Sequence, residues 1–321
     1  MNLSFDLQSH STYSDGELAP RGVVGAAVDA GVDLFALTDH DTVEGIDEAL
    51  EAAVGTELTL IPAIELSIVD EVAPDIHVLG YGIDHHDAAL LESLDRFRAD
   101  RAERTDRMID RMRAEGFELD AATIEQRRGA GLPIGRPHLA EAVLLHDANT
   151  QRLADEAIVT VSDLIRGYLI EGKAGFASRT MPSATDAIDV IHAAGGVAVW
   201  AHPFWDIADP AVVISTLDRY HALGLDGLEV FYVEHDERQT RLLHEAATQR
   251  GLLRTGSSDF HGPGHPLFAR MRAFETYGLE PELGSLPEPP IPHDGVRDTP
   301  YRPVPPVPIC SRYPVERKSD D

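Results

Sequence analysis

Seven apolar runs punctuate this chain, at 3–7, 34–38, 59–64, 76–81, 196–201, 226–231 and 252–256, and each has the length and aliphatic character of a buried strand. Most are separated by segments of helical periodicity, at 20–30, 44–53, 183–194, 210–223 and 236–249. The run at 76–81 gives one more strand, which carries His77. Ser183 and Asp186 open one helix in capping-box order, and Gly195-Gly196 stop it. Strand–helix–strand repetition implies parallel strands. The 321 residues, 43% of them hydrophobic, are enough to close one α/β barrel or to make two ordinary domains.

The polar residues begin where the apolar runs stop. Asp6, Gln8 and His10 with Asp15, then His40, Glu65, His77, His202, Asp259 and His261 all fall beside strand segments. In α/β barrels, catalytic groups gather at such strand ends. Imidazole and carboxylate without thiolate suit Mn, Fe or Zn, and a carboxylate can bridge two ions, so the pattern predicts two to three divalent metal ions. Gln8 and His10, two apart on a strand, share a face. Asp15 follows in a loop whose Gly16 permits the tight return over the strand end. Thr38-Asp39-His40-Asp41 places three ionisable groups in a row, with Asp41 expected to cap the next helix.

From about residue 87 the rhythm breaks. A long charged helical pattern at 88–115 is followed by shorter helical segments to about Tyr168, and the barrel pattern then resumes. The expected organisation is a barrel from 1–87 and 172–278, an inserted helical lobe at 88–171, and a proline-rich C-terminal tail at 279–321 that is disordered because proline breaks helices and central strands. The tail's partner, if it has one, is unspecified by this composition.

Charge narrows the partners. The net charge is −28, from 55 acidic and 27 basic residues, and Lys173 and Lys318 are the two lysines. Such a surface repels long duplex nucleic acid. It fits a halophile-like protein kept soluble in concentrated salt, or an arginine-biased genome with an ordinary acidic surface. No apolar run approaches the roughly 18 residues of a membrane helix, no leader is expected before the first strand, and the single Cys310 fits a reducing cytoplasm.

Five ordered pieces carry a resemblance: Asp6-Leu7-Gln8-Ser9-His10 with Ser14-Asp15-Gly16, Thr38-Asp39-His40-Asp41, Pro62-Ala63-Ile64-Glu65, Val199-Trp200-Ala201-His202-Pro203, and Gly256-Ser257-Ser258-Asp259-Phe260-His261. Over residues 3–275 the chain resembles the PHP (polymerase and histidinol phosphatase) family. That resemblance implies an α/β fold, a distorted (β/α)7 barrel with a metal cluster at the strand ends. It assigns His10, Glu65, Asp259 and Gln8 to one ion, with Glu65 bridging to a second held by His77 and His202, and Asp15, His40 and His261 to a third. Where the family has histidine this chain has Gln8, whose amide binds a transition metal weakly, favours a harder ion such as Mn or Mg, or acts through water.

Arg101 and Arg104, Gly135-Arg136-Pro137-His138, Lys173 and Arg179 resemble the insertion of the 3′,5′-nucleoside bisphosphate phosphatases and short-oligonucleotide 5′–3′ exonucleases within that family. Arginine forks match phosphate oxygens, which suits a second phosphate on the substrate. The implied activity is in-line phosphate ester hydrolysis of a small nucleotide, with Arg136 stabilising charge and His202 or Asp39 protonating the leaving oxygen. The alternatives are a histidinol-phosphate-type monoester phosphatase and a metal-stabilised non-catalytic binding module.

Overall fold

The computed structural model describes residues 3–73, 76–129, 134–284 and 286. In chain order the elements are β1 (Phe5–Asp6), α1 (Pro20–Asp29), β2 (Leu34–Leu37), α2 (Ile46–Ala53), β3 (Thr59–Ile68), β4 (Ile76–Tyr81), α3 (Ala88–Ala114), α4 (Ala121–Gly129) and α5 (Arg136–Leu145). There follow α6 (Thr150–Asp155), α7 (Val161–Leu164), α8 (Ala184–Ala193), β5 (Val197–Trp200), α9 (Pro203–Asp206), α10 (Pro210–Ala222), β6 (Gly227–Tyr232), α11 (Glu237–Arg250) and β7 (Leu253–Ser257). Ser183 and Asp186 cap α8 reciprocally, as their spacing predicts.

The seven strands form one sheet in sequence order that curls into a nearly closed barrel. Past the end of β1, Leu7 N donates to Gly256 O and His10 N to Phe260 O, which brings the first and last strands together. Helices pack outside through residues such as Val23, Val24, Ala27 and Ala49 against Phe35, Leu37 and Leu60. The strands are parallel except β4, which runs antiparallel to both β3 and β5. The cause is local: the seven residues between Ile68 and Ile76 are too few for the crossover of a dozen or more that a parallel pair needs, so β4 must reverse. Reversal puts His77 at the start of β4 on the same rim as the ends of its neighbours; Ala201 N donates to His77 O.

That connection is pinned by Asp70. Its carboxylate accepts two 2.7 Å bonds from the Arg219 guanidinium, one from the Tyr220 hydroxyl at 2.9 Å and one from Val72 N at 3.0 Å. Burial pushes Asp70 upward, but these donors outweigh it and hold the carboxyl below its ordinary value of 3.8. Because Arg219 remains 38% exposed, water screens part of the pair, and Asp70→Asn is expected to cost about 1–2 kcal/mol at neutral pH. A depressed carboxyl stabilises the fold above its unfolded value and loses that contribution as pH falls through the folded one. Urea unfolding of wild type and variant should therefore differ at pH 7 and converge in acid; a gap that persists in acid contradicts the assignment.

By its backbone contacts the chain divides into two compact units: one runs to Leu91 and resumes at Ser183, and the other is Glu92–Pro182. The second is helical, with its own core of Met108, Met112, Phe117, Leu139, Val143 and Leu164. Residues 279–284, expected at the head of a disordered tail, instead lie along β7, where Arg254 and Glu282 exchange backbone hydrogen bonds. The rest of that tail, apart from Leu286, lies outside the described residues. No helix among the described residues is long and apolar enough to cross a membrane.

Candidate metal centre

The site is built around Glu65. It lies within β3, not beyond its end as the sequence suggested, because the strand continues to Ile68 to pair with the reversed β4. Its Oε1 lies 2.8 Å from His77 Nδ1 and 3.3 Å from His202 Nε2. Its Oε2 lies 3.0 Å from His10 Nε2 and 3.7 Å from His40 Nδ1. A second carboxylate, Asp259, approaches His10 Nε2 at 3.1 Å. Asp15 reaches back over the rim to within 3.5 Å of His10, 3.6 Å of His40 and 3.4 Å of His261. Gly16 makes this return possible: a Cβ there would stand 2.2 Å from His10 O.

The donors form three overlapping groups: His10 with Glu65 and Asp259; His40 with Glu65 and His77; and His10, Asp15, His40 and His261. His40 thus joins two groups, where the sequence reading put it in one. Among the described residues, His10 Nε2, His40 Nδ1 and Asp259 Oδ1 are buried without a well-angled hydrogen bond. Converging imidazole and carboxylate donors of this kind fit divalent cations. His10 titrates well above its usual value: burial opposes this, but Asp259 and Glu65 stabilise its charged form. A metal ion competes with that proton, so metal binding weakens as pH falls.

Gln8 does not turn its carbonyl towards the other donors. Its amide nitrogen donates to Glu65 Oε2 at 2.9 Å, and its oxygen faces the Ser257 hydroxyl at 3.3 Å. Gln8 therefore orients the central carboxylate and supplies no anionic or imidazole donor. Gln8→His adds an imidazole beside Glu65 and is expected to lower the metal concentration for half-maximal binding about ten-fold, as read by calorimetric titration. An unchanged titration contradicts this placement.

Asp39, expected as a candidate acid, is committed elsewhere. It is buried and accepts bonds from Ser11 N, the Ser11 hydroxyl and the Ser14 hydroxyl at 2.6–2.7 Å, bracing the loop that carries Asp15. His202 turns Nε2 towards Glu65 and His77, an orientation for holding an ion. Asp41 is not a helix cap; its carboxylate takes Ser67 N, and α2 begins after Gly45. Asp6 likewise braces the last strand end, accepting from Ser258 N, the Ser258 hydroxyl and Arg272 N.

Two residues escaped the sequence reading. Glu229, wholly buried in β6, accepts from His202 N and the Ser257 hydroxyl, and burial pushes its carboxyl up to about 8. The Tyr232 hydroxyl donates to Asp259 Oδ2 at 2.9 Å. A carboxylate inside the apolar stretch Gly227–Tyr232 was the available signal for the first. Backbone strain concentrates here too: Asp41, His202 and Asp259 have φ of 52°, 27° and 52°.

In the lobe, α3 gathers the expected phosphate ligands. Asp100 accepts from Thr180 N, the Arg104 guanidinium donates to Ala177 O, and the Thr105 hydroxyl donates to Ile134 O. Arg101, Arg104, Arg136 and Arg179 are thus carried by segments that meet along 100–105. Arg104 and Arg179 are buried. Two expectations need correction. Arg136 and His138, flanking a proline and expected off any regular helical face, occupy the first turn of α5, and His138 Nδ1 accepts Gly135 N–H at 3.0 Å as a cap. Lys173 lines a separate cavity of about 560 Å³ with Glu156, Asp163, Arg166 and Tyr168, apart from the other expected ligands.

Residues 6–171 match the model of the PHP domain. The chain is 34% identical over 269 residues to the 3′,5′-nucleoside bisphosphate phosphatase of Chromobacterium violaceum, covering 81% of this chain and 88% of that protein. It is 32% identical over 266 residues to the 5′–3′ exoribonuclease Rnm of Escherichia coli, covering 81% and 85%. The structure of a protein from Bifidobacterium adolescentis assigned as a metal-dependent phosphoesterase superposes with a TM-score of 0.66 at 31% identity, over 83% of this chain and 91% of that one. With these matches and a cluster of side chains at one barrel rim that could hold metal ions, the chain belongs to the PHP domain family and is a metal-dependent phosphoesterase, a hydrolase.

Proposed function

We propose that this hydrolase removes or cleaves a phosphate ester of a small nucleotide, a nucleoside 3′,5′-bisphosphate or very short RNA. The observation that supports the substrate class is that the segments bearing Arg101, Arg104, Arg136 and Arg179 meet along one stretch of α3. A monoester phosphatase needs a single anion site; arginines supplied by several adjoining segments suit a second phosphate. The names of the Chromobacterium and Escherichia relatives support the same class.

In this reading two to three ions, Mn, Fe or Zn, would be held by His10, Glu65 and Asp259, by His77 and His202 with Glu65, and by Asp15, His40 and His261, with His40 also placed to reach the second. Bound divalent cations supply Lewis acidity to phosphoryl oxygens and bring the pKa of water towards neutrality. The chain's own residues do the positioning. Glu65 fixes the spacing between donor groups, Gln8 and Glu229 orient Glu65 and His202, and Tyr232 fixes Asp259. Asp39 holds the loop that presents Asp15. Arg136, at the first turn of α5, adds a guanidinium to the positive end of a helix.

The test is a panel of adenosine 3′,5′-bisphosphate, a dinucleotide, an aryl monophosphate and histidinol phosphate, assayed for phosphate or nucleotide release with Mn²⁺. Preference for the first two is expected. Preference for histidinol phosphate contradicts the nucleotide reading and favours the monoester phosphatase; no hydrolysis of any of them favours the binding module.

A further inference from the structure

The structure assigns a site to the nucleobase as well as to the phosphate: we propose that the open face of Trp205 is the platform on which the substrate's base stacks. This rests on the nucleotide reading above. Trp205 lies in α9, which begins directly after His202, and its backbone N donates to His202 O at 2.9 Å. Yet 48% of its surface is exposed. Among the described residues the other large exposed hydrophobics are aliphatic, and such residues occur singly on any protein surface. Trp205 differs by being joined to the metal-liganding residues through aromatic contacts.

Its indole ring packs 5.6 Å from Phe268 and 6.4 Å from Tyr232. Phe268 in turn lies 5.3 Å from the His261 ring, and Tyr232 lies 5.2 Å from His202 while its hydroxyl holds Asp259. The indole is therefore braced by two rings that each touch a ligand residue, and its remaining surface faces outward. A braced indole loses little freedom when a base stacks on it, and every base offers a π face, so such a platform grips nucleotides without reading sequence. The occupant is a neutral aromatic base. A second copy of this chain is disfavoured by like-charge repulsion at a net charge of −28.

The test uses the full-length, metal-loaded protein. Trp200 is 1% exposed, so fluorescence changes caused by stacking should arise from Trp205. Adenosine 5′-monophosphate should quench the emission, ribose 5-phosphate should not, and Trp205→Phe should abolish the quench. In turnover, Trp205→Ala should raise KM for adenosine 3′,5′-bisphosphate on the order of ten-fold with little change in kcat, Trp205→Tyr should restore it, and base-less ribose 3,5-bisphosphate should be indifferent to all three residues. If wild type hydrolyses the bisphosphate but Trp205→Ala leaves KM and quenching unaltered, the platform is overturned and the nucleotide reading stands. If wild type does not hydrolyse nucleotides at all, both fall.

Discussion

Glu65→Gln is expected to lower kcat/KM for phosphate ester hydrolysis by about a thousand-fold, because one neutralised carboxylate removes an anionic donor shared by four histidines. Its two oxygens lie within 2.8–3.7 Å of His77, His202, His10 and His40, and Gln8 donates to it. The glutamine is isosteric, so packing in β3 is preserved and circular dichroism should be unchanged. Metal content should fall together with activity. A variant that keeps its ions and loses less than about ten-fold in kcat/KM would show that Glu65 is a packing residue and not the bridge.

Arg136→Ala is expected to separate substrates instead of abolishing turnover. If the lobe arginines grip the second phosphate, the variant should lose about ten- to a hundred-fold in kcat/KM on adenosine 3′,5′-bisphosphate, the equivalent of a charge-assisted contact. An aryl monophosphate never makes that contact and should be hydrolysed as by wild type. Equal losses on both substrates would move Arg136 to the reacting phosphate or to a purely structural role at the start of α5.

What the sequence made legible was local. An apolar run that ends in Asp, His or Glu can be read without knowing the fold, and His10, His40, His77, His202, Asp259 and His261 do meet in the structure. What escaped depends on pairing. The reversal of β4 follows from a connection too short for a parallel crossover, and only that reversal explains why a histidine at the start of a strand joins residues at the ends of others. Glu65 was placed past its strand because β3 is lengthened by the same antiparallel partner. Asp39 carries the right chemistry for an acid, but the serines that occupy it, Ser11 and Ser14, come from a loop about 25–28 residues earlier. Glu229 had a signal, a lone carboxylate among apolar neighbours, whose meaning appears only when His202 N and Ser257 are seen to bond it. In the lobe, residue type suggested phosphate ligands, and the structure adds that His138 Nδ1 also caps α5 and that Lys173 lines a cavity with Arg166 and Tyr168.

The most direct measurement is phosphate release from adenosine 3′,5′-bisphosphate by protein stripped with a chelator, followed by titration with Mn²⁺. The clustered donors predict negligible release from the stripped protein and recovery as roughly two to three equivalents per chain are restored, with half-maximal recovery shifting to higher metal concentration at lower pH. Full activity in the stripped protein, with no response to added metal, would contradict the account at its centre.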